Sequence, residues 1–159
     1  MAIAFFSTWT TYGTWLPGDE RGWFETGSGF QAADLQRRFQ AALLMSEDAL
    51  TLDQVQRRLV EKTIADHCAI RKWILHAVNC RSNHVHVVVT APNREIEIPR
   101  EQFKAWCTRN LKELELQRRT DRSVSIREHW WTERGWDIYI DDEEHLLQAN
   151  SYVLEGQDS

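Results

Sequence analysis

The chain has 159 residues, 42% of them apolar and 27% charged, and its net charge is −5. That size suits one domain, residues 1–159, built around one core, and no apolar run approaches the roughly 18–20 residues that span a bilayer. The negative total argues against a nucleic-acid partner spread over the whole surface and leaves that role to a local patch. Cys68, Cys80 and Cys107 form no CxxC pair, which argues against a zinc ribbon and fits free thiols in a reducing cytoplasm. The first residues lack a basic segment followed by a long apolar one, so no secretory leader is expected and the expected location is cytoplasmic.

Residues 3–12, aromatic and β-branched, predict a first strand. Residues 13–30 hold Gly13, Pro17, Gly18, Gly22, Gly27 and Gly29, a loop composition, and a short helix is expected within 31–50. Leu52, Val55, Leu59, Thr63, Ile64, His67 and Cys68 make a helical stripe running to about Arg71, with Thr51 as its expected N-cap. Residues 72–80 predict a strand, Arg81-Ser82-Asn83 a turn, and His84 to Thr90 a second strand. A helix follows at about 100–118, then one or two strands within 123–140 broken at Glu133-Arg134-Gly135. The acidic run Asp141 to Glu144 opens a last helix, at the end where its dipole favours negative charge. The order β-α-β-β-α-β-α predicts an α+β domain, a ferredoxin-like or RRM-like antiparallel sheet with helices on one face and a tyrosine-bearing C-terminal helix.

On a strand, residues i and i+2 share a face and lie about 6.6–6.8 Å apart. His84 and His86 therefore project together, while Val85, Val87 and Val89 face the core. Two imidazoles so placed can chelate one divalent ion; two polar side chains on a solvated strand face are the alternative. A histidine-triad hydrolase needs a further histidine where Val88 stands, and a cupin needs a nearby acid and more strands. His67, His76, His129 and His145 are isolated and read as structural or surface residues.

A metal alone would suit a hydrolase that uses water, whereas a transferase needs a nucleophile. Tyr12 and Tyr139 sit in aromatic or apolar strands. On the last helix, Leu146, Leu147, Ala149, Val153 and Leu154 form the apolar face, and Tyr152 lies roughly 160° from its centre, on the polar side. A plain surface tyrosine is the alternative. Between 100 and 122, seven basic residues (Lys104 and Arg109 among them) face four acidic ones, a local patch able to follow a phosphate backbone. Trp130 and Trp131 are expected in the core, with base stacking as their other use.

Asn83-His84-Val85-His86-Val87-Val88-Val89 resembles the HUH motif (histidine, hydrophobic residue, histidine) of single-tyrosine transposases, a family that includes insertion-sequence-200-like and REP-associated tyrosine transposases. The stretch Phe103-Lys104 to Arg109 is similar to a helix that follows the motif in that family, and Trp136 to Tyr152 to its tryptophan, acidic cluster and terminal helix. The resemblance covers the chain outside about residues 13–50.

The resemblance implies a metal-dependent single-stranded DNA nuclease and strand transferase. His84 and His86 would hold Mg²⁺ or Mn²⁺, Tyr152 would form a 5′-phosphotyrosine, and Lys104 and Arg109 would contact DNA, with hairpin-forming DNA as substrate. It also implies a homodimer, in some members with one subunit's tyrosine serving the other's histidines. The family's glutamine ligand, four residues after the tyrosine, meets Gly156 here. Glu155 is better placed by helical geometry and Gln157 by residue type, and Gln157 is the expected ligand. A catalytically idle RRM-like module for single-stranded nucleic acid and a water-using phosphodiesterase are the alternatives.

Overall fold

The computed structural model describes residues 2–25, 27–92 and 95–155. Its elements are β1 (Ala4–Thr10), β2 (Trp23–Glu25), β3 (Gly29–Gln31), α1 (Leu35–Leu43), α2 (Gln54–Arg71), β4 (Ile74–Cys80), β5 (His84–Thr90), α3 (Glu97–Arg118), β6 (Trp136–Ile140) and α4 (Glu143–Glu155). Four strands form one antiparallel sheet in the order β4-β5-β1-β6, and β2 and β3 form a separate hairpin. Without that hairpin and α1, the order is the expected β-α-β-β-α-β-α of a ferredoxin-like domain. The hairpin occupies part of the stretch expected to be loop.

Local chemistry explains the element ends. Asp53, not Thr51, caps α2: its side chain accepts from the Gln56 backbone N–H while the Gln56 side chain accepts from the Asp53 N–H. This reciprocal pair satisfies two donors that a helix start leaves open, which a threonine two residues earlier is too far away to do. At the start of α4, Asp142 accepts from the His145 backbone N–H, 2.7 Å away. Only β6 forms within 123–140, and Trp131 contributes a single bridge to Thr11.

The sheet is covered on both faces. Phe5, Trp9, Val85, Val87 and Val89 point toward α2 and α3 and pack with Val60, Ile64, Phe103, Cys107 and Leu111. Ala4, Ala77, Val88 and Ile140 point the other way and pack under Leu146 and Val153 of α4. Thus α2 and α3 share one face as expected, and the tyrosine helix takes the opposite one. Every residue from Val85 to Val89 is buried, because the two layers claim alternate positions of the strand.

Beneath β6, a polar network crosses from α3 to the sheet. Asp137 accepts from Arg100 and from the Ser7 hydroxyl. Lys104 is 7% exposed and donates to the carbonyls of Thr132 (3.0 Å) and Arg134 (2.9 Å). Burial pushes the Lys104 ammonium down and the Asp137 carboxyl up from their ordinary values. The lysine expected to contact DNA is therefore spent inside the protein, tying α3 to the segment before β6. Arg109 is exposed, with its guanidinium 5.1 Å from the centre of the Trp106 ring, on the helix covering the face opposite His84 and His86.

Two outcomes follow from this segment. A Cβ on Gly135 would sit 2.4 Å from the Thr8 carbonyl oxygen and 2.7 Å from Arg100 Cδ. Gly135→Ala should cost about 1–3 kcal/mol in urea unfolding, the range for overpacking. Lys104→Met should also destabilise, by about 1–3 kcal/mol, because two part-buried hydrogen bonds to the Thr132 and Arg134 carbonyls are lost. It should leave the salt dependence of any single-stranded DNA binding unchanged, whereas a lysine on a phosphate would reduce that slope by about 1.

Candidate active site

The pleat and register of the sheet build the site. Thr8 of β1 pairs with His86 and Thr10 with His84, while Asn79 of β4 pairs with His86 from the other side. Residues opposite one another across antiparallel strands point to the same face. Phe6, Thr8, Thr10, His84, His86 and Asn79 therefore share the α4 side of the sheet. The helix covers the end of this face carrying Ala4, Ala77, Val88 and Ile140, and the histidines lie just past its cover.

The two imidazoles lie 4.7 Å apart between ring centres, with their planes at 74°. His84 Nδ1 donates to Asn83 Oδ1 at 2.7 Å, which holds the ring proton there and puts the lone pair on Nε2. That is one of the two tautomers through which a neutral histidine ligates a metal. His86 is 7% exposed and stacks on Phe6 at 5.4 Å between ring centres, which fixes its plane. The pair thus fits a divalent cation by spacing and by the proton on His84. Among the described residues no group of three His, Cys, Asp or Glu side chains that could hold a metal ion comes together. Gln157 lies outside the described residues.

Helix α4 brings the tyrosine to the pair. The Tyr152 ring is 5.8 Å from that of His86 and 6.1 Å from that of Phe6, edge-on to both. Asn79 Nδ2 donates to the Val153 carbonyl at 2.8 Å, so the residue beside the tyrosine is tied to the strand beside His86. The buried stripe of α4 is Leu146, Ala149 and Val153, while Leu147 and Leu154 are exposed. Counted from that stripe, Tyr152 is about 100° away, on the helix flank and not its back. The flank lets the ring lie along the sheet while 52% of the residue remains exposed. Tyr139 is on the other face of β6, and Tyr12 stacks on His129 at 5.2 Å.

The cysteines offer no rival nucleophile. Burial pushes the Cys68 thiol up to about 11 and raises those of Cys80 and Cys107 well above the ordinary thiol range. Trp130 is buried in the α2–α3 core, and Trp131 packs against it. His67, closed in by Trp73 and Phe103 and bonded to Gln102, is structural. Phe6, Asn79 and Asn83 support the site without having been singled out in sequence. Asn83 precedes the first histidine, a visible cue, whereas Phe6 and Asn79 are disclosed only by strand register. No helix among the described residues is long and apolar enough to cross a membrane.

No family model matches the chain, and no curated protein matches it. Among solved structures, it is similar to that of a REP-associated tyrosine transposase bound to a REP hairpin. The TM-score is 0.52 at 11% sequence identity, over 96% of this chain and 66% of that one. The chain therefore spans just under two thirds of the transposase's length. What the two share is the fold: the four-stranded antiparallel sheet and helices described above are those of a distant structural relative of a tyrosine transposase.

Proposed function

We propose that the protein is a metal-dependent single-stranded DNA nuclease and strand transferase that works through a 5′-phosphotyrosine at Tyr152. The observation that carries this reading is the convergence of Tyr152, His84 and His86, from a helix and a strand, on one sheet face. A module that only binds needs neither the oriented imidazole pair nor a hydroxyl beside it. The structural likeness to a hairpin-bound transposase supports the choice of DNA.

His84 and His86 would hold Mg²⁺ or Mn²⁺, with Asn83 fixing the His84 tautomer. A divalent ion bound there supplies Lewis-acid polarisation of a phosphodiester. Phe6 holds the His86 ring, and Asn79 holds the Val153 carbonyl beside Tyr152, in their mutual positions. The Tyr152 hydroxyl loses its proton and attacks the phosphorus. A phosphorus–O(Tyr) bond forms, the phosphorus–O3′ bond breaks, and the 3′ oxygen leaves and takes up a proton. The ester count is conserved, so a 3′-hydroxyl can reverse the step and rejoin the strand without a nucleotide cofactor. Gln157 and Glu155 remain the proposed sources of a third ligand.

Incubated with 3′-labelled hairpin DNA carrying single-stranded flanks, the protein should give a protein–DNA band that survives denaturation. Tyr152→Phe should lose that band and keep DNA affinity, and excess EDTA or the double change His84→Ala/His86→Ala should abolish cleavage. Full activity in chelator would remove the metal, and an undiminished band in Tyr152→Phe would remove the tyrosine.

A homodimer is proposed on the resemblance alone, and in it each subunit would carry a complete site, because Tyr152 meets the histidines of its own chain. Light scattering should give twice the chain mass. Mixing the double-histidine variant with Tyr152→Phe should restore no cleavage, and restored cleavage would show sites shared between subunits.

A further inference from the structure

Residues 13–24, which lie outside the family resemblance, wall a cleft of about 620 Å³ one strand away from the histidines. Its lining includes Tyr12, Trp15, Phe24, Trp131 and Trp136, together with Thr10, the strand partner of His84. We propose that this cleft receives an unpaired nucleobase of the strand whose phosphate lies at His84 and His86. The inference rests on single-stranded DNA being the substrate, and it assigns the aromatic wall a role in holding that substrate.

Position is the first argument. Thr10 is one strand from His84, about 5 Å between Cα atoms, and Trp136 is two strands from His86, roughly 10 Å. The cleft therefore opens onto the face of the imidazole pair through Thr10 and Trp136, within reach of neighbouring nucleotides on one chain. Chemistry is the second. Every base has a π face, so an aromatic wall binds unpaired bases of any sequence. Phe24 and Trp136 keep 49% and 39% of their surfaces exposed, although their rings meet at 4.9 Å, so ring faces remain open. A volume of this size falls within the ~300–1,000 Å³ of small-ligand sites.

Rigidity is the third argument. Arg21 lies 3.9 Å over the Trp15 ring, is held there by Asp19, and Trp15 Nε1 donates to the Gly22 carbonyl at 2.6 Å. The Arg21 guanidinium beside Asp19 holds that carboxyl below its ordinary range, so the clamp stays charged. The opposite rim is fixed by Lys104, whose two carbonyl bonds fall at Thr132 and Arg134. Arg134 has φ 66°, a left-handed conformation that a non-glycine residue adopts only where its surroundings impose it. Both walls are therefore set before a ligand arrives, which lowers the ordering cost of binding.

The test measures binding without chemistry, using full-length Tyr152→Phe protein in EDTA. The probes are a single-stranded oligothymidylate of eight nucleotides and an abasic phosphodiester of equal length. Stacking predicts that the oligothymidylate binds about 5- to 100-fold more tightly. Phe24→Ala and Trp136→Leu should each remove most of that difference. In parallel, wild-type protein irradiated with an iodouracil-substituted oligonucleotide should carry its adduct on Trp15, Phe24 or Trp136, a readout that needs no substitution. Equal affinity for the two probes, or adducts confined to residues that do not line the cleft, would overturn the stacking site. A stacking failure with the covalent Tyr152 band intact refutes the cleft alone, and loss of that band with stacking intact refutes the chemistry alone.

Discussion

Two hydrophobic layers draw on the same seven-residue strand, and the pleat of β5 divides it between them. Val85, Val87 and Val89 go to the α2–α3 core, while Val88 goes to the layer under α4. The alternation that sends Val88 under Val153 also sends His86 to the same face two residues earlier, and His84 two before that. Helix α4 docks on Val88, Ala77 and Ala4, so its next residue outward, Tyr152, meets the first polar ring beyond the apolar cover. Shifting the β5 register by one residue would put both histidines and Val88 into the α2–α3 core and Val85, Val87 and Val89 on the α4 side, which burial on both faces disfavours.

The other end of the site depends on charges removed from water. Arg100 pairs with Asp137, and Lys104 closes on two carbonyls, all three side chains being less than a tenth exposed. Such groups are costly to bury alone and tolerable when fully bonded. Their return is positional, since they fix the segment that turns into β6 and so place Trp136 beside Thr8. The chain spends part of its basic patch on architecture. The α3 cations and the histidines also lie on opposite sides of the sheet, so DNA held at His84 would meet aromatic rings before it met Arg109.

The strands and helices outside residues 13–31 were legible in the sequence because their patterns are local: four valines in period two, a helical stripe to Arg71, an acidic run opening α4. The histidine pair was legible for the same reason. What escaped depends on partners distant in sequence. Leu147 and Leu154 counted as apolar face until their exposure showed that only Leu146, Ala149 and Val153 meet the sheet, which moved Tyr152 from the back of the helix to its flank. Lys104 looked like a surface cation because nothing local reveals the carbonyls of Thr132 and Arg134, roughly 30 residues away. The glycines of 13–31 announced turns correctly. They could not announce that the turns would bring Trp15 and Phe24 against Trp136.

The central claim is that one chain presents an imidazole pair and a tyrosine hydroxyl to the same phosphate. Tandem mass spectrometry of the denatured, nuclease-trimmed and protease-digested adduct tests it most directly, by locating the residue that keeps a nucleotide. The account predicts a single modified peptide containing Tyr152, its phosphoryl group joined through the 5′ oxygen of the nucleotide. A nucleotide on Tyr12 or Tyr139, or cleavage that leaves no tyrosine modified, would contradict it.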